Sequence, residues 1–306
     1  MPIYDLSNKV VLLTGIGSIA EGFGNGTAIA SLFARQGAVV YGCDINLDAA
    51  NRAVDHIRKD PEAANHPSRK AGDSIVDGFQ QPTVWWSSWL FVCTPTALTP
   101  FWQDVTKSDQ CKAFCDACME KHGRIDILVN NVGKSEPGGP AEMSEEVWDA
   151  QTDVNLKSVY LMCHLVLPVM EKQSSGGCVL SVGSVAGLRY IGKPQVAYAA
   201  TKAAVVQFTK TTAVIYAQRT GGKVRLNTVI PGLMNTPLVS VLAKKYAGGD
   251  EEGFRKTRDK QVPTGKMGTP WDVAHAALYL CSDEASYVTG QEITVDGGIV
   301  NSTGQY

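Results

Sequence analysis

Short apolar runs alternate with longer helical stretches along this 306-residue chain, and the alternation limits the folds that it can adopt. The first run, Val-Val-Leu-Leu at 10–13, ends at Thr14-Gly15, which is typical of a buried parallel strand. Similar runs predict strands at 9–14, 38–43, 125–130, 177–182, 224–230 and 292–295. The stretches between them predict helices at 27–36, 47–59, 144–172, 196–218 and 270–281. Strands that alternate with helices of ten or more residues indicate βαβ units.

This pattern predicts an α/β fold: a doubly wound parallel sheet of the Rossmann type, with about seven strands and helices on both faces. Six strands are clear in the sequence, and we expect a seventh. Hydrophobic residues make up 44% of the chain, which is enough for a large core. No repeat, low-complexity tract or linker divides the sequence, so we expect a single domain over residues 1–306.

The composition argues against two classes of partner. A formal net charge of −2 provides no excess of basic groups for nucleic acid or an anionic membrane. The apolar runs, such as 276–281, are far shorter than the roughly 20 residues of a membrane helix. The amino-terminal residues show no basic segment followed by an apolar one, as a secretory signal would. We therefore expect a cytoplasmic protein that binds neither nucleic acid nor membranes.

Residues 60–103 form an atypical insertion in the pattern. They hold five of the 14 prolines and four of the six tryptophans, without a period of 2 or 3.6 residues. Structureless loops longer than about 15 residues are uncommon in compact domains. A folded insertion, an oligomer contact, a disordered flap and translated non-coding sequence all remain open as explanations.

A glycine-rich turn follows the first predicted strand. It runs from Gly15 to Thr27 and contains Gly22, Gly24 and Gly26. Glycines at this position let the backbone approach a pyrophosphate, and the next helix offers free N–H groups and a partial positive charge. The turn therefore predicts a site for the phosphates of a dinucleotide.

Asp44 ends the second predicted strand, where a carboxylate can accept hydrogen bonds from both ribose hydroxyls of an adenosine. A 2′-phosphate at this point would meet a like charge, and no basic residue follows before Arg52. We therefore expect NAD as the preferred cofactor, with NADP as the alternative. Asp44 can also cap the helix that follows.

Tyr198 and Lys202 lie four residues apart, early in the helix predicted at 196–218, and thus on one helix face. An unperturbed tyrosine, with a pKa near 10, is a poor base at neutral pH, and a nearby cation stabilises its phenolate. Ser184 follows the strand predicted at 177–182 and precedes Tyr198 by 14 residues. Its hydroxyl is a candidate hydrogen-bond donor to a substrate oxygen.

Three cysteines, Cys111, Cys115 and Cys118, repeat at helical spacing, with His122 close behind. The spacing places the thiols on one helix face, where they could bind a metal. The same spacing is that of a buried stripe, in which free cysteine packs as a small hydrophobe. We favour the buried stripe.

Taken together, these motifs resemble those of the short-chain dehydrogenase/reductase family. The motifs occur in the family's order: Thr14-Gly15, Asn130-Asn131-Val132-Gly133, Val154-Asn155-Leu156-Lys157, Ser184, Tyr198 with Lys202, Pro231 to Pro237, and Tyr287 to Gly298. Each motif is weak alone, and the combination is specific. The resemblance covers most of the chain apart from 60–103, and it implies a single-domain dehydrogenase that uses NAD or NADP.

The resemblance also implies roles for individual residues. Tyr198 would exchange a proton with the substrate oxygen, and Ser184 would orient and polarise the carbonyl. Lys202 would bind the nicotinamide ribose and lower the pKa of Tyr198. Asn155 would hold a water molecule in a proton relay to Lys202.

Further residues would contact the cofactor. Asn131 and Gly133 would line its adenosine and ribose side, and Ile230, Pro231 and Thr236 would hold the carboxamide. In the family the third strand leads to an Asp-Val pair at the adenine, which corresponds here to Asp104 and Val105.

Two departures from the family pattern place the adenine pocket in question. The glycine turn is about five residues longer than usual, so that either Gly24 and Gly26 or Gly22 and Gly24 could be the last two glycines of the motif. The segment 60–103 falls where the third strand should be, and its Pro95 and Pro100 interrupt any strand just before Asp104.

By the same resemblance, residues 237–262 would form a lid over the substrate. A mostly apolar pocket would suit a small-molecule secondary alcohol or ketone, and its side chains would be Leu188, Tyr190, Gln195, Leu233 and Met234. The two long central helices, at about 146–172 and 196–218, would form a homodimer or homotetramer.

The sequence thus predicts an NAD(P)-dependent oxidoreductase that transfers a hydride between a nicotinamide and a secondary alcohol or ketone. The altered glycine turn and the insertion leave an alternative, a cofactor-bound protein that acts as a regulator or as a scaffold for a non-redox step. A third possibility is that residues 60–103 prevent stable folding.

Overall fold

A computed structural model describes residues 3–68, 75–77 and 103–303 of the chain. Its centre is a sheet of seven parallel strands in the order β3-β2-β1-β4-β5-β6-β7. The strands are β1 Val10–Thr14, β2 Val39–Cys43, β3 Val76–Asp77, β4 Ile127–Asn130, β5 Gly177–Val182, β6 Val224–Pro231 and β7 Glu292–Val295. The predicted α/β sheet is confirmed, including its seventh strand.

Ten α-helices connect the strands in the described residues. They are α1 Asn25–Arg35, α2 Leu47–Lys59, α3 Pro61–Ala64, α4 Ser108–His122, α5 Glu145–Thr152, α6 Ser158–Lys172, α7 Val196–Thr220, α8 Pro237–Tyr246, α9 Glu251–Asp259 and α10 Pro270–Cys281. Helix α1 packs against α2 and α10, whereas α6 packs against α4 and α7. The two groups cover the two faces of the sheet.

The strand order reverses between β1 and β4, which lie side by side although α1 to α4 separate them in the chain. All residues of β1 and β4 are buried, because helices cover both faces of a parallel sheet. At such a reversal the loops leave in opposite directions and open a cleft beyond the carboxyl ends of the strands. The predicted cofactor residues all follow those ends.

The helix predicted at 144–172 is interrupted. Helix α5 ends at Thr152, and Asp153–Lys157 form one π-helical turn before α6 begins. A single π turn inserts an extra residue into a helix, and such turns are frequent at functional sites. Here the turn contains Asn155, a predicted catalytic residue.

Part of the segment 60–103 belongs to the fold. Asp60 caps α3 and its carboxylate lies 2.7 Å from Arg35 Nε, while Ala63 is buried. The third strand, Val76–Asp77, pairs with Val40 and Tyr41 of β2. The chain is next described at Gln103, whose N–H donates to the carbonyl oxygen of Asp44 at 3.0 Å. The tryptophan run, Pro95 and Pro100 lie outside the described residues.

The cysteine stripe of α4 belongs to the core. Cys111, Cys115 and Cys118 are buried in the main apolar cluster beside Phe114. Within the described ranges no group of three or more potential ligands is placed to hold a metal ion. Nor does any helix in these ranges have the length and apolar character needed to cross a bilayer.

Candidate active site

The first turn of the cleft is shaped by two glycines in close contact. Gly15 has φ +72°, a conformation that residues with a side chain rarely adopt. A Cβ placed on Gly26 would lie 2.0 Å from the Gly15 carbonyl oxygen and 2.6 Å from Asn131 Nδ2. Gly26 therefore allows α1 to approach the end of β1. The Thr27 hydroxyl also ties α1 to the end of β1, because it donates to the Ile16 carbonyl oxygen at 2.8 Å.

Gly24 and Gly22 play different parts in the lengthened turn. Gly24 caps α1 without a side-chain hydrogen bond, so the first N–H groups of the helix can bind an anion. A Cβ on Gly24 would meet nothing nearer than 3.5 Å. Gly22 has φ +106° and faces Pro237 at the start of α8. The turn thus extends as far as the start of α8.

Asp44 is fixed at the end of β2 by backbone N–H groups. Its Oδ2 accepts from Gly17 N at 3.0 Å and its Oδ1 from Asn46 N at 2.9 Å. Burial raises the pKa of this carboxyl group, and the N–H donors and the charge of Arg52 act in the opposite direction. Gly17 was not among the predicted site residues, although its position in the glycine turn was a signal. A Cβ there would lie 2.7 Å from the Ala49 side chain.

Asp104 and Val105 return to the same edge of the sheet. Asp104 Oδ1 accepts from the backbone N–H and the hydroxyl of Thr106, at 3.0 and 2.7 Å, and so closes a turn before α4. Val105 is buried. The Gln103 backbone pairs with Asp44, which brings Asp104 close to the end of β2. The structure therefore places the Asp-Val pair near Asp44, despite the insertion before it.

Asn131 connects the two halves of the sheet at the strand reversal. Its backbone N–H donates to Thr14 Oγ1 at 3.3 Å, and its Nδ2 donates to the Gly15 carbonyl oxygen at 2.8 Å. The end of β4 is thereby tied to the glycine turn after β1. Gly133 follows two residues further on. A Cβ on Gly133 would lie 3.0 Å from Lys202 Nζ.

Ser184, Tyr198 and Lys202 meet beyond the ends of β5 and β6. Ser184 ends an extended segment and its Oγ accepts from Ala186 N at 3.2 Å, which fixes its side chain. The Ser184 side chain lies close enough to the Tyr198 phenol to lower its pKa by hydrogen bonding. Burial is the larger effect, and it raises the pKa of Tyr198. The phenol is therefore protonated at neutral pH in the protein without a nucleotide.

Lys202 is almost fully buried, with 3% of its surface exposed. Its Nζ donates to the Val182 carbonyl oxygen at 2.8 Å and lies 5.8 Å from the centre of the Tyr198 ring. Burial lowers the pKa of Lys202 to about 8. An ammonium group in this position gains from any further acceptor, such as a ribose hydroxyl.

Asn155 is buried in the π turn and holds the loop after β4. Its Oδ1 accepts from Lys134 N at 2.8 Å and its Nδ2 donates to the Lys134 carbonyl oxygen at 2.9 Å. A Cβ on Gly133 would also lie 3.4 Å from Asn155 Oδ1. Asn155, Gly133 and Lys202 are thus neighbours. The clamp on the Lys134 backbone was not predicted, because nothing in the sequence indicates a π turn.

The carboxyl end of β6 forms the last wall of the cleft. Ile230 is buried against Val185 and Val206, and Pro231 ends the strand. Thr236 caps α8, the first helix of the expected lid. Of the five side chains expected to line the substrate pocket, Tyr190 is the most exposed, with 72% of its surface accessible. Leu233 packs against a small apolar cluster that contains Val239 of α8.

Comparisons with known proteins agree with this geometry. The family model described as "Enoyl-(Acyl carrier protein) reductase" matches residues 94–300. The 3-oxoacyl-[acyl-carrier-protein] reductase FabG of Thermotoga maritima is 36% identical, over 96% of this chain and 99% of its own. A protein from Burkholderia xenovorans assigned to the short-chain dehydrogenases/reductases superposes with a TM-score of 0.80 at 39% identity, over 97% of this chain and 98% of that one. The aldohexose dehydrogenase of Thermoplasma acidophilum gives a TM-score of 0.75 at 28% identity, over 98% and 97%.

Proposed function

The chain belongs to the short-chain dehydrogenase/reductase family, and from this membership we propose how its residues divide the work of catalysis. The enzyme is an NAD(P)-dependent oxidoreductase that acts on CH–OH or keto groups. The names of its relatives give no support to a non-redox role. The observation that carries the assignment is the meeting of Ser184, Tyr198 and Lys202 at the carboxyl edge of the sheet.

Tyr198 is the general acid and base of the proposed mechanism. In the reductive direction its phenol donates a proton to the carbonyl oxygen of the substrate, and in the oxidative direction the phenolate removes it. Ser184 donates a hydrogen bond to the same oxygen and so fixes its position. The raised pKa of Tyr198 suits the donor form, and the ammonium group of Lys202 stabilises the phenolate that remains. Asn155 holds the loop next to Lys202. With a water molecule it would complete the relay that carries a proton through Lys202 back to Tyr198.

The residues of the cleft fit a dinucleotide. Gly15 and Gly26 pack so closely that only glycine leaves the turn open, and α1 presents unpaired N–H groups beside it. Gly22 and Gly24 belong to the same turn, and Asn131 and Gly133 would line the ribose side. Pro231 and Thr236 would hold the carboxamide, while Asp104 and Val105 would face the adenine. The bound nicotinamide supplies or accepts the hydride.

We favour NAD over NADP because of the carboxylate of Asp44. Two of its hydrogen bonds come from Gly17 and Asn46, and its remaining lone pairs can accept from the ribose hydroxyls. The charge of Arg52 reaches Asp44 and offsets part of the repulsion that a 2′-phosphate would meet, and its Nη2 donates to the Ser18 carbonyl oxygen at 3.2 Å. The preference therefore rests on the carboxylate of Asp44. Titration of the enzyme with both nucleotides by calorimetry tests this preference, and tighter binding of NADP would overturn it.

The assembly that we propose is a homodimer or homotetramer built on α5 to α7. Large apolar side chains on these helices are exposed, namely Trp148, Tyr160, Val214 and Ile215. Exposed apolar groups on adjacent helices are typical of a surface that another subunit covers. Light scattering of the purified enzyme measures its mass, and a monomer at micromolar concentration would contradict the proposal.

Tyr198→Phe tests the mechanism most directly. We expect kcat to fall about 10²–10⁴-fold, because general acid catalysis contributes roughly that factor. The ring still packs in the same place, so the dissociation constant for NAD should stay within about threefold of the parent value. The activity is measured with a panel of secondary alcohols and ketones, and Tyr287→Phe, at a fully exposed tyrosine, serves as the control. Unchanged turnover in Tyr198→Phe would exclude the assigned role.

A further inference from the structure

Two basic side chains meet beside the lid, and neither has an acidic partner among the residues that the structure describes. Lys193 lies in the loop that joins Ser184 to Tyr198, and Arg258 lies in α9. Both side chains are half-buried. Burial and the charge of Arg258 together lower the pKa of Lys193 to about 8. Two like charges thus share a partly desolvated place, an arrangement that an anion would stabilise.

Aromatic rings hold both cations in place. Lys193 Nζ lies 5.6 Å from the centre of the Tyr246 ring, at the end of α8. The Arg258 guanidinium carbon lies 5.4 Å from the centre of the Phe254 ring, one helical turn earlier. One guanidinium nitrogen, Nη1, also donates to Gln261 Oε1 at 3.1 Å. The other donors of the guanidinium and the ammonium group remain available for a bidentate acceptor.

The two elements that carry these cations are anchored to one segment. Arg189 Nη1 donates to the carbonyl oxygens of Ile299 and Ser302 at 2.7 and 2.6 Å, which fixes the loop before Lys193. Ile299 belongs to the apolar cluster against which Phe254 of α9 packs. The loop before Lys193 and the helix that carries Arg258 are therefore both held against the segment at Ile299.

A neighbouring lysine shows the contrast. Lys245 Nζ lies 5.4 Å from the same Tyr246 ring, but it also lies 4.0 Å from Glu136 Oε2. Glu136 is in turn 3.3 Å from Lys134 Nζ. Lys245 and Lys134 thus share the single carboxylate of Glu136. Among the described residues Lys193 has no acidic neighbour of this kind.

We propose that the substrate carries an oxyanion, a carboxylate or a phosphate ester, which binds between Lys193 and Arg258 while its keto or alcohol carbon lies at Tyr198. The inference rests on the proposed function, since it takes the cleft between the 184–198 loop and the lid as the substrate site. Lys193 precedes Tyr198 by five residues, and its ammonium group lies against Tyr246 at the end of α8, so an anion bound there is held by the loop that leads into the helix of Tyr198.

Matched ketones test the proposal by steady-state kinetics. The first pair is 4-oxopentanoate and its methyl ester, and the second is dihydroxyacetone phosphate and dihydroxyacetone. We expect the charged member of at least one pair to have a KM lower by about tenfold or more, and the pair identifies carboxylate or phosphate as the ligand. Lys193→Gln and Arg258→Gln should remove that advantage, so that the KM values of the charged and the uncharged ketone differ by less than about twofold. Lys245→Gln, which removes an equal charge at the same ring, should keep it.

A measurement without turnover separates this proposal from the proposed function. Trace acetylation of lysines by acetic anhydride is followed by peptide mass spectrometry, with inorganic phosphate or acetate added. The anion should slow acetylation of Lys193 but not of Lys245, and Arg258→Gln should abolish the protection. Protection without reduction of any ketone would contradict the proposed function and support the anion site. Reduction of uncharged ketones, with neither protection nor a KM advantage for a charged one, would overturn the anion site alone.

Discussion

The cleft that we propose as the cofactor site has a nicotinamide end and an adenine end, and the two are built in different ways. At the nicotinamide end, Ser184, Tyr198 and Lys202 come from elements that follow one another in the chain, β5 and α7. At the adenine end, Asp44 and Asp104 are brought together across an insertion, with Gln103 paired to the backbone of Asp44. Residues that are close together in the sequence thus form the nicotinamide end, whereas the register of neighbouring strands determines the adenine end.

The comparison shows how the sheet tolerates a change in the chain. In the pairing of β2 with β3, Val40 lies opposite Val76 and Tyr41 opposite Asp77. Continued in that register, Asp44 would lie opposite residue 80, and the backbone of Gln103 bonds to Asp44 instead. In this parallel pairing the carbonyl oxygen of Asp44 would accept from residue 81, so Gln103 stands four residues beyond Asp77, or about 13 Å along the same edge at about 3.3 Å per residue. The sheet edge beside β2 therefore includes described residues from both sides of the interruption.

The largest effect should come from Gly26→Ala, at the contact between α1 and β1. The added Cβ would meet the Gly15 carbonyl oxygen at 2.0 Å, so α1 must move. We expect a loss of about 3 kcal/mol or more in the free energy of unfolding, at the upper end of overpacking costs. Urea denaturation measures it.

Gly24→Ala is the matched control for that substitution. Its Cβ has no neighbour within 3.4 Å, so the free energy of unfolding should change by less than about 1 kcal/mol, while NAD affinity falls. Equal stability of the two variants would show that Gly26 is not the packing glycine of the turn.

Lys202→Met tests the nicotinamide end of the cleft through the pH dependence of the free energy of unfolding. Below pH 8 the lysine is protonated in both the folded and the unfolded protein, and burial of its charge lowers stability. Between about pH 8 and 10.5 the folded protein releases this proton first, so the unfolded state binds more protons and the stability due to Lys202 rises with pH. The stability of the parent minus that of Lys202→Met should increase by about 3 kcal/mol over this range.

Lys210→Met is the control for this experiment, since Lys210 lies on the same helix but is exposed and paired with Glu292. Thermal or urea denaturation from pH 7 to 10.5 gives the difference curves. A flat curve for Lys202→Met would mean that its ammonium group is not buried in the free enzyme.

Asp44→Asn probes the adenine end. The substitution keeps the shape of the side chain and removes its charge, so hydrogen bonds from the ribose hydroxyls weaken by about 1.5 kcal/mol. We expect NAD to bind about tenfold more weakly and NADP to bind more tightly than to the parent. Calorimetry with both nucleotides measures this, and Asp48→Asn, which lies on the first turn of α2, is the control. An unchanged ratio of the two affinities would remove Asp44 from the cofactor site.

The smallest effect should come from deletion of residues 81–102. Gly78, Phe79 and Gln80 would then connect Asp77 to Gln103, which is the length that the strand register requires. We expect NAD affinity and kcat to stay within about threefold of the parent, with no loss in melting temperature. A large loss of NAD affinity would show that the insertion is part of the adenine pocket. The adenine end would then depend on the insertion as well as on the strand register.

Much of this molecule could be predicted from its sequence, because its elements carry local signals. Buried strands such as Ile127–Asn130 are short apolar runs, and Tyr198 and Lys202 share a helix face by spacing alone. The two-residue strand Val76–Asp77 is too short to show a period, so only its pairing with β2 identifies it. The roles of Gly24 and Gly26 depend on what a Cβ would touch across the turn, and no pattern along the chain reports that distance.

The π turn at Asp153–Lys157 has a consequence for how this helix can evolve. Removal of one residue there would leave a regular α-helix, and because a π turn holds one extra residue without changing the phase of the helix that follows, the side chains of α6 would still face the core. Asn155 would lose its hydrogen bonds to the Lys134 backbone. Single-residue deletions in this stretch should thus be eliminated by selection even when the remaining amino acids are acceptable. The length of this helix and the position of the loop at Lys134 are therefore selected together.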